Sequence, residues 1–148
     1  MRNELTILNA LKTVVQAQLN GHLDSNLDPI GERNVAIDFP DTDQMPMKTM
    51  LYIQPNWANY EALTTESDDS TFNMAVFIIC RKDSQENLTR KVYGYFNALY
   101  RLLKTNLSLD GEVDFCAIDD ADFYPAVEGN RNIQAIEVSI SVRYTKDF

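Results

Sequence analysis

The sequence predicts an α+β fold (mixed α and β), with a mainly antiparallel sheet of about four to six strands and two helices packed on one face. Two segments have helical hydrophobic spacing, several short segments have strand character, and the last strand alternates apolar and polar side chains. The 148 residues, 45% of them hydrophobic, suffice for one core and leave little chain for a second. We therefore expect one domain over residues 1–148.

The first predicted helix covers residues 3–20 and is amphipathic. Asn3 is its expected N-cap, and Asn20-Gly21 is expected to end it in a left-handed conformation. Apolar side chains recur three and four residues apart along one side, as in a helix that packs on a core. These residues are Ile7, Leu8, Leu11, Val14, Val15 and Leu19.

The second predicted helix covers residues 84–105 and has the clearest helical pattern in the chain. Asp83, followed three residues later by Glu86, fits a capping box at its start. The apolar side of the helix is formed by Leu88, Val92, Tyr95, Phe96, Leu99, Leu102 and Leu103, with Tyr93 and Tyr100 at its margin. The opposite, largely basic side carries Arg90, Asn97, Arg101 and Lys104.

The remaining segments predict strands and loops. Strands are expected at Val35–Phe39, Met50–Ile53, Met74–Cys80, Cys116–Ile118 and Ala135–Tyr144. The last one alternates strictly, so one of its faces should be buried and the other exposed. The polar and irregular residues 54–71 predict a long surface loop, and residues 119–122 predict a solvated acidic loop.

Composition argues against several classes of function. The longest apolar run, Met74–Cys80, is far shorter than the roughly 20 residues that span a bilayer, so no membrane partner is expected. No signal peptide is evident, which favours an intracellular protein. The net charge of −9 disfavours nucleic acid or anionic lipid as the main partner, because binding phosphates requires clustered lysines and arginines.

No motif predicts catalysis, a cofactor or a metal. Cys80 and Cys116 lie in apolar segments and are expected to act as small core residues, while His22 is the only histidine. The five glycines are too scattered for a phosphate-binding loop. Asp119-Asp120-Ala121-Asp122 lacks the pattern of a calcium loop. We therefore expect a protein that is not an enzyme.

The distribution of charge is the most informative feature. Residues 81–104 carry six bases and two acids, whereas residues 109–128 carry seven acids and no base. Opposite patches on one small domain favour head-to-tail self-association. The alternative is that the basic helix neutralises the acidic segment within the same chain.

Trp57 and Tyr60 are a second candidate interface. An exposed Trp beside a Tyr is typical of a binding anchor. The alternative is that Trp57 folds back over the edge of the sheet and covers the core.

The order of these elements resembles the tail terminator (tail completion, minor tail) proteins of long-tailed bacteriophages and prophages. The resemblance consists of the first helix, the strand ending Ile79-Cys80-Arg81-Lys82-Asp83, the helix over residues 84–105, the turn over residues 107–113 and the last strand. It implies a structural protein with an α/β fold that forms a hexameric ring on the tail tube. It also implies that the ring ends tube polymerisation and presents a joining surface to the head–tail connector.

The resemblance further implies partners and a location. The partners would be other copies of the chain, the tail tube protein and the connector protein, while DNA would only pass through the lumen. The location would be the host bacterial cytoplasm during assembly and then the virion tail.

No catalytic residues come with this resemblance, so the interface residues are hypotheses. We expect ring contacts between Arg90, Arg101 and Lys104 on one copy and Asp119, Asp120 and Asp122 on the next. Two alternatives stay open: another head–tail connector or neck (head-closure) ring, or a small cytoplasmic ligand-binding domain or enzyme.

Overall fold

The computed structural model describes residues 2–147, which form two helices and five strands. The helices are α1 (Glu4–Gln18) and α2 (Gln85–Thr105). The strands are β1 (Val35–Ile37), β2 (Thr49–Ala62), β3 (Ser67–Arg81), β4 (Phe115–Tyr124) and β5 (Ile133–Asp147). Within residues 2–147, no helix combines the length and the apolarity that crossing a bilayer requires.

The five strands form one sheet in the order β1-β2-β3-β5-β4. Only β1 and β2 pair in parallel, and the other three pairings are antiparallel. Both helices pack on one face of this sheet, α1 over β1 and β2, and α2 over β3, β5 and β4. The predicted fold class is therefore confirmed.

The main core lies between the helices and that face of the sheet. All six apolar residues predicted for the first helix are buried there, and so are Leu88, Val92 and Leu99 of α2. Alternate residues of the strands complete this core, including Val76 of β3 and Val138 of β5. Burial of these side chains is the main stabilising contribution to the fold.

Within residues 2–147, no helix lies on the other face of the sheet, called the open face below. A small cluster of Met45, Met50, Tyr52, Ile79 and Ala135 is buried there, beneath the segments that precede β2 and β5. Phe77 and Trp57 also lie on this face, which is otherwise largely polar. Along β5 it presents Glu137, Ser139, Ser141 and Arg143, as the alternation predicted.

The predicted surface loop at residues 54–71 is wrong, because these residues form most of a long β-hairpin. β2 pairs with β3 from Thr49↔Cys80 to Ala62↔Asp68, and β5 lines the other edge of β3 to its end. Pro55 is accommodated because β1 pairs only with residues 51–53 of β2, and a bulge follows between Pro55 and Trp57.

The predicted acidic loop at residues 119–122 is also wrong, because these residues belong to β4. This strand forms one edge of the sheet, and a bulge at Asp119 interrupts its pairing with β5. Charged residues and bulges are common on edge strands, since they discourage pairing with other chains.

Three predictions about segment ends need correction. α1 does not stop in a left-handed conformation at Asn20-Gly21 but continues into a 3-10 turn over Leu19–His22. The side-chain amide of Asn20 donates to the carbonyl oxygen of Ile30 and accepts from its backbone N–H, each at 2.8 Å. The N-cap of α2 is Ser84 rather than Asp83. The predicted strand from residue 35 ends at Ile37. The N-cap of α1 is Asn3, as predicted.

Candidate interaction surfaces

The basic side of α2 points away from the sheet. Because the apolar stripe of α2 is buried against the core, helical geometry places Arg90, Arg101 and Lys104 on its outer side, where all three are exposed. Arg90 Nη2 lies 3.6 Å from Glu86 Oε1, and Arg101 donates to the carbonyl oxygen of His22 at 2.6 Å.

The predicted acidic residues divide into two kinds. Asp120 and Asp122 lie exposed on the open face, where Asp122 is directly opposite Glu137 in the pairing of β4 with β5. Asp119 is bound within the chain instead: Asn73 donates to it at 3.2 Å, and Ser141 also donates to it. Asp119 therefore belongs to a polar network of the sheet.

Glu137 is the acidic residue of this surface that the sequence analysis missed. Burial raises the pKa of Glu137, and the charges of Asp122 and Asp120 raise it further. Glu137 alternates with core residues along β5, so the sequence placed it only on the exposed side of that strand. Its position beside β4 required the strand order.

The basic and acidic surfaces lie on opposite sides of the molecule. The outer side of α2 is separated from the open face by the main core and the sheet. None of the five ion pairs within residues 2–147 joins α2 to β4. The structure therefore does not show the basic helix neutralising the acidic segment of the same chain.

Trp57 and Tyr60 lie on opposite faces of the hairpin. Trp57 pairs with Asn73, which faces the polar network of the open face, whereas Tyr60 pairs with Ser70 and donates to Glu4 of α1. Their exposed fractions are 48% and 47%. Trp57 is half exposed on the open face, so it does not cover the main core, and the two rings do not form one joint anchor.

Both cysteines are buried and poorly suited to reactivity. Burial raises the pKa of each thiol to about 11, so the thiolate is scarce at neutral pH. Cys80 lies in β3 and Cys116 in β4, each within the main core. Among residues 2–147, no group of three or more His, Cys, Asp or Glu side chains is placed to hold a metal ion.

Comparison with known proteins supports the fold. The sequence matches no protein-family model and no curated protein. Among solved structures, the chain is similar to a chain of the virion of a native gene transfer agent particle. The TM-score is 0.50 at 12% identity, and the match covers 89% of this chain and 95% of that one.

The chain is also similar to the sheath/tube terminator, in its extended state, of the extracellular contractile injection system PVC. The TM-score is 0.53 at 12% identity, and the match covers all of this chain but 58% of that one. The resemblance to tail terminators is thus confirmed at the level of the fold.

Proposed function

We propose that this chain is a structural protein of a phage, prophage or phage-like tail, which assembles as a ring on the end of the tail tube. The ring ends polymerisation of the tube and offers its other side to the head–tail connector. Assembly takes place in the host bacterial cytoplasm, and the finished ring stays in the tail. The proposal assigns no catalytic activity and no cofactor, and DNA only passes through the lumen.

One observation carries this proposal: two oppositely charged surfaces lie on opposite sides of a domain whose fold is similar to that of a tube terminator. A ring requires each copy to contact its neighbours through two different surfaces. Arg90, Arg101 and Lys104 supply one candidate surface. Asp120 and Asp122 supply the other, while Asp119, held by Asn73 and Ser141, contributes charge only.

The negative charge of the chain fits a protein through which DNA passes. At a net charge of −9, a ring of this chain would repel phosphates rather than hold them. A strongly basic lumen would instead slow the movement of DNA.

Binding to purified partners tests the proposal. Light scattering behind size-exclusion chromatography, on the chain mixed with the cognate tail tube protein, should give a complex with several copies of the chain. The same measurement with the connector protein provides the comparison. A chain that binds neither partner would contradict the proposal. Binding to the connector alone would replace it with a head-closure role.

A further inference from the structure

A groove on the open face has an apolar floor and an acidic rim. Its volume is about 310 Å³, Phe77 and Ala135 form part of its floor, and Glu137 and Glu128 line it. Asp122 lies across the β4–β5 pairing from Glu137. Such a groove fits a side chain with a long apolar stem and a cationic end, which is the chemistry of Arg and Lys.

The carboxylates of this groove have no cationic partner within residues 2–147. The ion pairs there involve the carboxylates of Glu4, Asp69, Asp83, Glu86 and Asp114. Like charges directly opposite each other in a sheet are destabilising, and the charge of Asp122 adds to burial, the larger cause, in raising the pKa of Glu137. A cation from outside the chain would relieve this repulsion.

We propose that the groove binds the basic outer side of α2 from a second copy of this chain. Charge complementarity selects this occupant, because Arg90, Arg101 and Lys104 are exposed along one side of α2. The two surfaces lie on opposite sides of the molecule, so they meet only between copies. The contact is head-to-tail, and repetition from copy to copy closes a ring or extends a filament.

This inference rests on the proposed ring and goes further, because it places Glu137, Glu128 and the groove at the contact. It also leaves Asp119 outside the contact, since that carboxylate accepts hydrogen bonds from Asn73 and Ser141. Arg101 is a poor residue for a test, because it also holds the carbonyl oxygen of His22. Among the residues from 2 to 147, Arg90 and Lys104 make no such bond to the backbone of another segment.

Two charge-reversed variants test the contact. The helix variant carries Arg90→Glu and Lys104→Glu, and the groove variant carries Asp122→Lys and Glu137→Lys. Analytical ultracentrifugation at low ionic strength should show self-association weakened about tenfold or more in each, because like charges now meet. High salt should weaken association of the wild type as well.

An equimolar mixture of the two variants is the decisive sample. In an alternating assembly every contact again joins opposite charges, so the mixture should associate within about threefold of the wild type. A misfolded variant does not produce this recovery. If Asp122→Lys/Glu137→Lys does not fold, Asp122→Asn/Glu137→Gln replaces it, with an expected weakening of about threefold for the variant alone.

Matched controls carry equal changes of charge elsewhere on the surface. Glu61→Lys/Glu66→Lys on the hairpin matches the groove variant, and Arg33→Glu/Lys48→Glu matches the helix variant, since all four residues are exposed. Controls that weaken association as much as the test variants would overturn the inference. A mixture without recovery, or a wild type that stays monomeric at its highest soluble concentration, would also overturn it.

The measurement uses the chain alone, so its outcome is independent of tube binding. If the chain binds the tube protein but the mixture shows no recovery, the proposed function stands and the groove contact is wrong. If the mixture recovers but the chain binds no tail protein, the contact stands and the proposed function is wrong.

Discussion

Glu4 links the start of α1 to the far ends of two strands. Its carboxylate accepts from Lys146 Nζ of β5 at 2.9 Å and from the hydroxyl of Tyr60 of β2. Lys146 Nζ also lies 5.2 Å from the centre of the Tyr60 ring, within the range of a cation–π contact. This cluster fastens the hairpin to the helix layer, although the three residues are far apart in sequence.

We predict that Glu4→Gln lowers the free energy of unfolding by roughly 1 kcal/mol at neutral pH. Burial raises the pKa of Glu4, but hydrogen bonds from Tyr60 and Lys146 outweigh it and lower the pKa from 4.5 to about 2. Because the folded-state pKa is depressed, this stabilisation is present above the unfolded pKa and is lost as pH falls through 4.5 toward 2.

Urea unfolding of wild type and variant across this acidic range checks the prediction. The difference between the two proteins should shrink toward zero near the low end of the range, where Glu4 becomes protonated. Glu66→Gln is the control, because Glu66 is exposed in the hairpin turn and forms no ion pair within residues 2–147. A difference that does not depend on pH would show that Glu4 acts through packing alone.

Asp122→Asn should lower the pKa of Glu137. Burial is the main cause of the raised pKa of Glu137, and the charge of Asp122 is the next. Removal of that charge makes ionisation of Glu137 easier, so its pKa moves back toward the ordinary value. NMR titration of the Glu137 carboxyl measures the change, with Asp114→Asn, at the other end of β4, as control. An unchanged pKa would mean that the two carboxylates are not close.

Among the secondary-structure elements, the β2–β3 hairpin is one whose outer half the sequence pattern did not predict. Its outer half, residues 54–62 of β2, is mostly exposed on both faces, so no alternation of apolar and polar residues marks it. This half pairs with residues 68–75 of β3, and the other edge of β3 pairs with β5, which lies far along the chain. Backbone pairing with these strands, rather than burial of side chains, defines it.

Three of the elements that were predicted correctly bury one side and expose the other. α1, α2 and β5 each carry a regular apolar pattern, because each packs against the main core. For the candidate site, helical spacing was enough to group Arg90, Arg101 and Lys104. The acidic surface was predicted less well, because Glu137 comes next to Asp122 only when β5 pairs with β4.

Hydrogen exchange distinguishes a hairpin from the loop that the sequence predicted. We expect slow exchange for β3 amides from residue 68 onward, because β3 has a paired neighbour on each side. Amides in the exposed, irregular residues 24–26 should exchange quickly and serve as an internal control. Fast exchange throughout residues 54–71 would mean that the outer half of the hairpin does not form.

At the scale of the whole molecule, the layers hold the two charged surfaces apart. The helices cover one face of the sheet and leave the other open, so α2 presents its bases on one side while β4 and β5 present their acids on the other. We expect a domain with this distribution of charge to associate head-to-tail rather than through one shared patch. Its assembly should weaken with salt, since most of these charges are exposed.

The length of assembled tail tubes shows directly whether this chain ends tube growth. Tube protein is polymerised with increasing amounts of this chain, and the lengths are measured by negative-stain electron microscopy. The proposed role in ending tube growth predicts that the mean length falls as the ratio of chain to tube protein rises, with density from the chain at the tube ends. Tubes of unchanged length with bare ends, under conditions where the chain is folded, would contradict it.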